Sequence, residues 1–273
     1  MEQISIITDT RGVHERLLEK ISAEIGNEIA VETETNALSL ISDNDSIKNK
    51  IVDTVSTIII EEYENKLLSK LINQNYCYFN TPERRNIYKK AVNYVENDND
   101  FITTLLSKRR SELISEKLNE YLQTTNQIIL DGFINFRLKE YQNELEDIID
   151  KAVDDFLVEK EYKEFIKLLK YFVAIQKPKH DVIHILAKKN RYHIYDEDKN
   201  EITSQCSKEF ISDSKEEVIN TDDLLISSLI SISPRKIYIH KKENIKNIEL
   251  LTTINSVFSK NVIVCSNCEL CED

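Results

Sequence analysis

The sequence predicts an α+β fold dominated by helices. Three patterns carry that expectation. Apolar residues alternate at period 2 in the first forty residues, recur every three or four residues from 43 to 177, then return to short β runs separated by helical stretches. The organisation expected is a β-α-β-β unit over 1–42, a helical body over 43–177, and a C-terminal mixed α/β region over 178–273 with a β-α-β unit and a cysteine-rich tail.

Residues 4–7 form a short apolar run, and 11–25 place Val13, Leu17, Leu18, Ile21 and Ile25 on one helical face ahead of Gly26, a helix stop. Strands are expected at 28–34 and 37–41. Asp43, Asn44, Asp45 and Ser46 offer N-caps for a helix carrying Ile47, Ile51, Val55, Ile58, Ile59, Tyr63 and Leu67. A second helix is expected to start at Thr81-Pro82-Glu83, where the missing N–H of Pro82 is harmless, and a third to span 101–122. From 134 to 176 apolar spacing continues without Gly or Pro. One helix of that length would reach roughly 65 Å, so a break is expected at Glu159-Lys160-Glu161, where the apolar stripe lapses. A coiled coil competes with that reading, although no strict heptad holds throughout. After Lys177-Pro178-Lys179, a hairpin is expected over 182–187 and 192–195, and a polar, mostly loop segment over 197–219. Thr221-Asp222-Asp223 should cap a helix over 224–231 closed by Pro234. A strand over 236–239, a helix over 245–258 and a strand over 262–264 then make a parallel β-α-β crossover.

Composition excludes several function classes. The 273 residues are 41% hydrophobic, enough for a substantial core, and 31% charged, with a formal net charge of −12. That charge opposes nucleic acid and anionic lipid. The basic clusters Lys108-Arg109-Arg110, Lys188-Lys189-Asn190-Arg191 and Lys241-Lys242 are small and read as solvated faces or turns. No apolar stretch approaches the ~20 residues of a spanning helix, and the first residues have no signal-peptide pattern. Five cysteines, three of them in the last nine residues, do not make a disulfide framework, so a reducing cytoplasm is expected. Only Gly12, Gly26 and Gly132 occur, each alone, so no glycine-rich phosphate loop or G-x-S-x-G turn can be assembled.

The segment from Asp131-Gly132-Phe133-Ile134-Asn135-Phe136-Arg137 through Tyr141 resembles the YtxC-like sporulation proteins of endospore-forming bacteria. So do residues 156–166, 169–173, 223–232 and 236–240, in all about the second half of the chain. The resemblance implies a role in sporulation and a cytoplasmic setting. It implies no activity and no catalytic residue.

Cys265-Ser266-Asn267-Cys268-Glu269-Leu270-Cys271 is the sharpest local feature. Thiolates two residues apart can face one soft ion, as in zinc sites or the opening of an iron–sulfur ligand set. His240 is a candidate fourth ligand, because His240 and Cys265 follow adjacent strands of the expected parallel unit and should share its carboxyl edge. Cys206 is the other. Free thiols of a loose tail and thiol–disulfide chemistry stay open beside zinc. His180 and His184 have helical metal spacing but fall around a strand, with His193 across the hairpin and no accompanying Glu, so they read as hairpin histidines. Asp154-Asp155 and Asp222-Asp223 read as solvated faces or caps rather than acid–base pairs. Tyr162, Phe165, Tyr171 and Phe172 are expected in the core by helical spacing, with a partner-helix groove as the alternative.

The function expected is that of a cytoplasmic, sporulation-associated protein acting through contacts with protein partners, without nucleic acid, membrane insertion or catalysis. The rival is a metal-binding or thiol-redox regulator or enzyme built on the terminal cysteines. Partner and oligomeric state are not legible.

Overall fold

The computed structural model describes residues 2–9, 11–24, 30–33, 37–42, 45–96, 101–188, 191–204 and 220–272. Gly26, Asp43, Asn44 and Cys206 lie outside them, as do residues 205–219. The fold is α+β and helix-dominated, and packing groups Met1–Val158 and Glu159–Asp273 into two compact units.

In the first unit, β1 (Glu2–Ile7), α1 (Arg11–Glu24), β2 (Ala30–Thr33) and β3 (Ala37–Ser42) form the expected β-α-β-β start. β1 pairs antiparallel with β3, opposing Ile4 to Leu40 and Ile6 to Leu38, and β3 pairs antiparallel with β2. A further strand, β4 (Gln127–Ile129), runs parallel to β1 and completes the order β2-β3-β1-β4. It was not expected from the sequence. Ile128 alone of its three residues is buried, so its period-2 signal is too short to register.

α1 buries Val13, Leu17 and Ile21 at i, i+4 and i+8. The same core takes Ile51, Val55, Ile58 and Ile59 of α2 (Asp45–Asn75), Ile87 of α3 (Thr81–Glu96) and Ile114 of α4 (Phe101–Leu122). Asn80 caps α3. Its side chain accepts from the Glu83 amide, and the Glu83 carboxylate accepts from the Asn80 amide, both at 3.0 Å.

Helix α5 (Leu130–Phe136) is followed by α6 (Lys139–Ile175). The backbone break therefore falls at Arg137-Leu138, where the Gln142 side chain donates to the Ile134 carbonyl at 2.7 Å. It does not fall at Glu159-Lys160-Glu161, which α6 crosses without interruption over 37 residues, about 55 Å. Intrahelical bonds link i to i−4 and need neither an apolar stripe nor a core neighbour, and Lys163 and Glu159 face each other one turn apart. What changes at the lapse is the packing, because the boundary between the two units lies at Val158 and Glu159.

Tyr141, Leu145 and Ile149 of α6 are fully buried in the first unit. The Tyr141 hydroxyl donates to Glu64 Oε2 at 2.7 Å, and Arg110 Nε donates to the same oxygen at 3.1 Å. This buried triad ties α2, α4 and α6 together.

The second unit is built on β5 (Val182–Lys188), β6 (Arg191–Tyr195), β7 (Lys236–His240) and β8 (Val262–Val264), in the order β6-β5-β7-β8. β5 and β6 form the expected antiparallel hairpin, whereas β5–β7 and β7–β8 are parallel. One face carries Ile183, Ile185, Ile237 and Ile239. It is covered by Leu225, Leu229 and Ile232 of α7 (Thr221–Ile232), by Leu250 and Ile254 of α8 (Ile248–Phe258), and by Ile166 and Leu169 of α6. Asn220, not Thr221-Asp222-Asp223, caps α7 by accepting from the Asp222 amide. Ser233 ends that helix in the left-handed region, φ 50°, just before Pro234. α8 starts three residues later than expected, because Lys242–Asn244 form a 3₁₀ turn and Asn247 takes the cap.

Candidate metal centre

β7 ends at His240, and its parallel partner β8 ends at Val264, which opposes Ile239. The Cys265 amide extends that ladder by donating to the Ile239 carbonyl at 2.9 Å, so Cys265 leaves the sheet beside His240. The chain then turns into α9 (Glu269–Glu272), with the Cys271 amide donating to the Cys268 carbonyl at 2.8 Å. The turn points Cys268 and Cys271 back at the sheet edge.

His240 Nδ1 lies 3.3 Å from Cys268 Sγ and 3.4 Å from Cys271 Sγ. Cys271 Sγ lies 3.9 Å from Cys268 Sγ and 4.0 Å from Cys265 Sγ, so these sulfurs are thiols rather than disulfides. All four ligand atoms fall within 4.8 Å of one another. A tetrahedron with metal–sulfur bonds of about 2.3 Å and a metal–nitrogen bond of about 2.05 Å has edges of about 3.8 and 3.6 Å. The cluster thus has the dimensions of a shell around one ion, and it could hold a metal.

The histidine is presented in the form a metal takes. His240 is 2% exposed, and burial lowers its pKa, with the His184 charge adding to the effect. Burial also lowers the pKa of His184, helped by Lys199. Both shifts favour the uncharged imidazole. His240 Nε2 and His184 Nδ1 are 3.0 Å apart, so with Nδ1 of His240 as a metal ligand, Nε2 would carry the proton and donate it to His184. His184 in turn stacks on Tyr238, ring centroids 5.2 Å apart at 17°.

The thiols differ. Burial pushes Cys265 up to about 11, and its thiol neighbours add to that. Burial acts upward on Cys268 too, but hydrogen bonds from Cys265 and from the Leu270 and Cys271 amides outweigh it and bring its thiol below the ordinary value. Lys199, in the Asp196–Asn200 turn, clasps Glu269 at 2.8 Å and so holds the start of α9.

The other sequence candidates are not brought together. His180 pairs with Glu197 at 3.2 Å and His193 with Glu201 at 2.8 Å. Asp155 accepts from Tyr94, and Asp222 from Tyr192 and Asn247. The basic run at 108–110 is engaged by Glu112, Glu144 and Glu64. The contribution of His184 was missed, although a signal existed. It shares the sheet face of Tyr238 and His240 once β5 is placed parallel to β7. The aromatic stretch is not core either: Tyr162, Phe165, Tyr171 and Phe172 are all exposed.

Fold and site together define a helix-rich α+β protein with a candidate metal centre on the carboxyl edge of its second sheet. The chain belongs to the YtxC-like family, whose sequence model matches residues 49–263. It is 26% identical over 210 residues to the protein called "Uncharacterized protein YtxC" of Bacillus subtilis (strain 168), covering 74% of this chain and 72% of that one. No solved structure matches. The family match includes His240 and ends before the three cysteines. Among the described residues, no helix is long and apolar enough to cross a membrane.

Proposed function

We propose that this chain is a cytoplasmic, sporulation-associated protein that binds one structural zinc ion through His240, Cys265, Cys268 and Cys271 and acts through protein contacts rather than catalysis. The observation that carries the zinc reading is the spread of four ligand atoms within 4.8 Å. Three thiolates and one neutral imidazole fill a tetrahedral shell and leave no position for substrate, which marks structural rather than catalytic zinc. A single ion suits this spacing better than an iron–sulfur cluster, whose ligands are spread over several irons. The role of the metal is to fasten the chain after β8 to the sheet edge. Sporulation is supported by the likeness of residues 131–141 and the later segments to that family, and the cytoplasm by the use of reduced thiols.

Protein purified under reducing conditions should contain about one equivalent of zinc, and a Cys268→Ser, Cys271→Ser variant should contain none. Chelation should lower Tm, since an ion present at about 100 times its Kd stabilises the folded form by about 2.7 kcal/mol. Less than about a tenth of an equivalent in the wild type, against the full equivalent of a closed site, overturns the zinc reading. Unchanged heat-resistant spore counts after gene disruption would remove the sporulation role.

A further inference from the structure

Beyond the metal centre, the last four turns of α6 present an apolar face that the second unit does not cover. Ile166 and Leu169 are buried in that unit's core. The neighbouring face leaves Phe165 48%, Leu168 50%, Tyr171 60%, Phe172 40% and Ile175 60% exposed. At roughly 200 Å² for a fully exposed large side chain, these fractions amount to about 500 Å² per copy. Two such faces together reach about 1,000 Å², the least that a specific protein–protein interface needs.

Phe165, Leu168, Phe172 and Ile175 are separated by three, four and three residues, the spacing of a seam that packs against another helix. The preceding position of the same series is Glu161. A parallel pair of identical helices would set Glu161 against its own copy, two like charges in one seam. An antiparallel pair centred between Leu168 and Phe172 sets Leu168 opposite Phe172 and Phe165 opposite Ile175, and leaves Glu161 beyond the end of the seam. Local charge agrees. Residues 161–175 carry Lys163, Lys167 and Lys170 against Glu161 and Glu164, hence +1, in a chain of net −12. This is a stretch where two copies can meet without the repulsion that the rest of the surface imposes.

We infer that the exposed face of α6 is an antiparallel homodimer interface, with Leu168 and Phe172 of each copy at its centre.

The test uses the full, zinc-supplied chain. Sedimentation equilibrium at roughly 50 µM, well above a Kd of about 1 µM, should give a dimer. Phe165→Glu and, separately, Tyr171→Lys should raise the dimer Kd at least tenfold with unchanged far-ultraviolet circular dichroism. A benzophenone amino acid at position 165 should cross-link to residues 174–176 of the other copy. A monomeric wild type, a dimer indifferent to Phe165→Glu, or a cross-link from 165 to 165 overturns the proposal. So does a monomer that floats with anionic lipid vesicles, which would make the face a membrane-surface helix. Zinc content is read separately, so failure of the metal reading and failure of the interface are distinguishable.

Discussion

Replacing His184 by Phe should weaken zinc binding 10- to 100-fold, or about 1.4–2.7 kcal/mol, although His184 contributes no ligand atom. His240 Nε2 is 3.0 Å from His184 Nδ1, and His240 is 2% exposed, so little water can replace a lost acceptor. An orphaned buried N–H costs about 1–3 kcal/mol, the same range. Phe keeps a flat ring against Tyr238 and removes only the acceptor. Asn is the control, because its side-chain oxygen can sit near the position of Nδ1 and accept the same hydrogen bond. Competition with a chromophoric chelator on reduced protein gives the affinities directly. His184→Phe should lose one to two decades and His184→Asn should keep most of the wild-type affinity. A His184→Phe protein that binds zinc as tightly as wild type, or an Asn variant as weak as Phe, would refute the role assigned to this contact.

In the first unit, Tyr141→Phe removes one of two hydrogen bonds to the buried Glu64 carboxylate and should cost about 1.5–3 kcal/mol in urea unfolding. Arg110→Met strands that carboxylate and should cost about 3–5 kcal/mol; equal effects of the two substitutions would show that the triad is not organised around Glu64. Alkaline pH should destabilise the protein through Tyr141, raised by burial and Glu64, and through Tyr192, raised by burial and its bond to Asp222. A raised folded-state pKa contributes stability that is fully present below the unfolded value of about 10 and lost as pH rises through the folded one. Tm should therefore fall above about pH 10 and fall less in Tyr192→Phe; a Tm level to about pH 11 would contradict this.

Much of the architecture was legible because its signals are local. The helix at 101–122 and the strand at 262–264 appear where periodicity puts them. The convergence of His240 with Cys265, Cys268 and Cys271 was legible for a topological reason: parallel strands joined by a crossover end at the same sheet edge. The caps show the limit of that reading. The sequence pattern points to Thr221-Asp222-Asp223 as the cap of α7, yet Asn220 takes the role while Asp222 is held by Tyr192 and Asn247 from elsewhere in the chain.

By itself, then, the sequence determined most of the helices and strands, and it offered His240 beside three closely spaced thiols as one possible ligand set, because periodicity, turns and crossover topology carry those signals. The tertiary structure alone decided what covers each surface. A period of 3.6 marks Phe165 and Phe172 as one face of a helix, but burial depends on a distant neighbour, and Phe165 stays 48% and Phe172 40% exposed. The same holds for the unbroken course of α6 through its polar lapse, for β4 beside β1, and for His184 beneath His240. Each depends on a partner far away in sequence, and a local pattern carries no record of which partner that is.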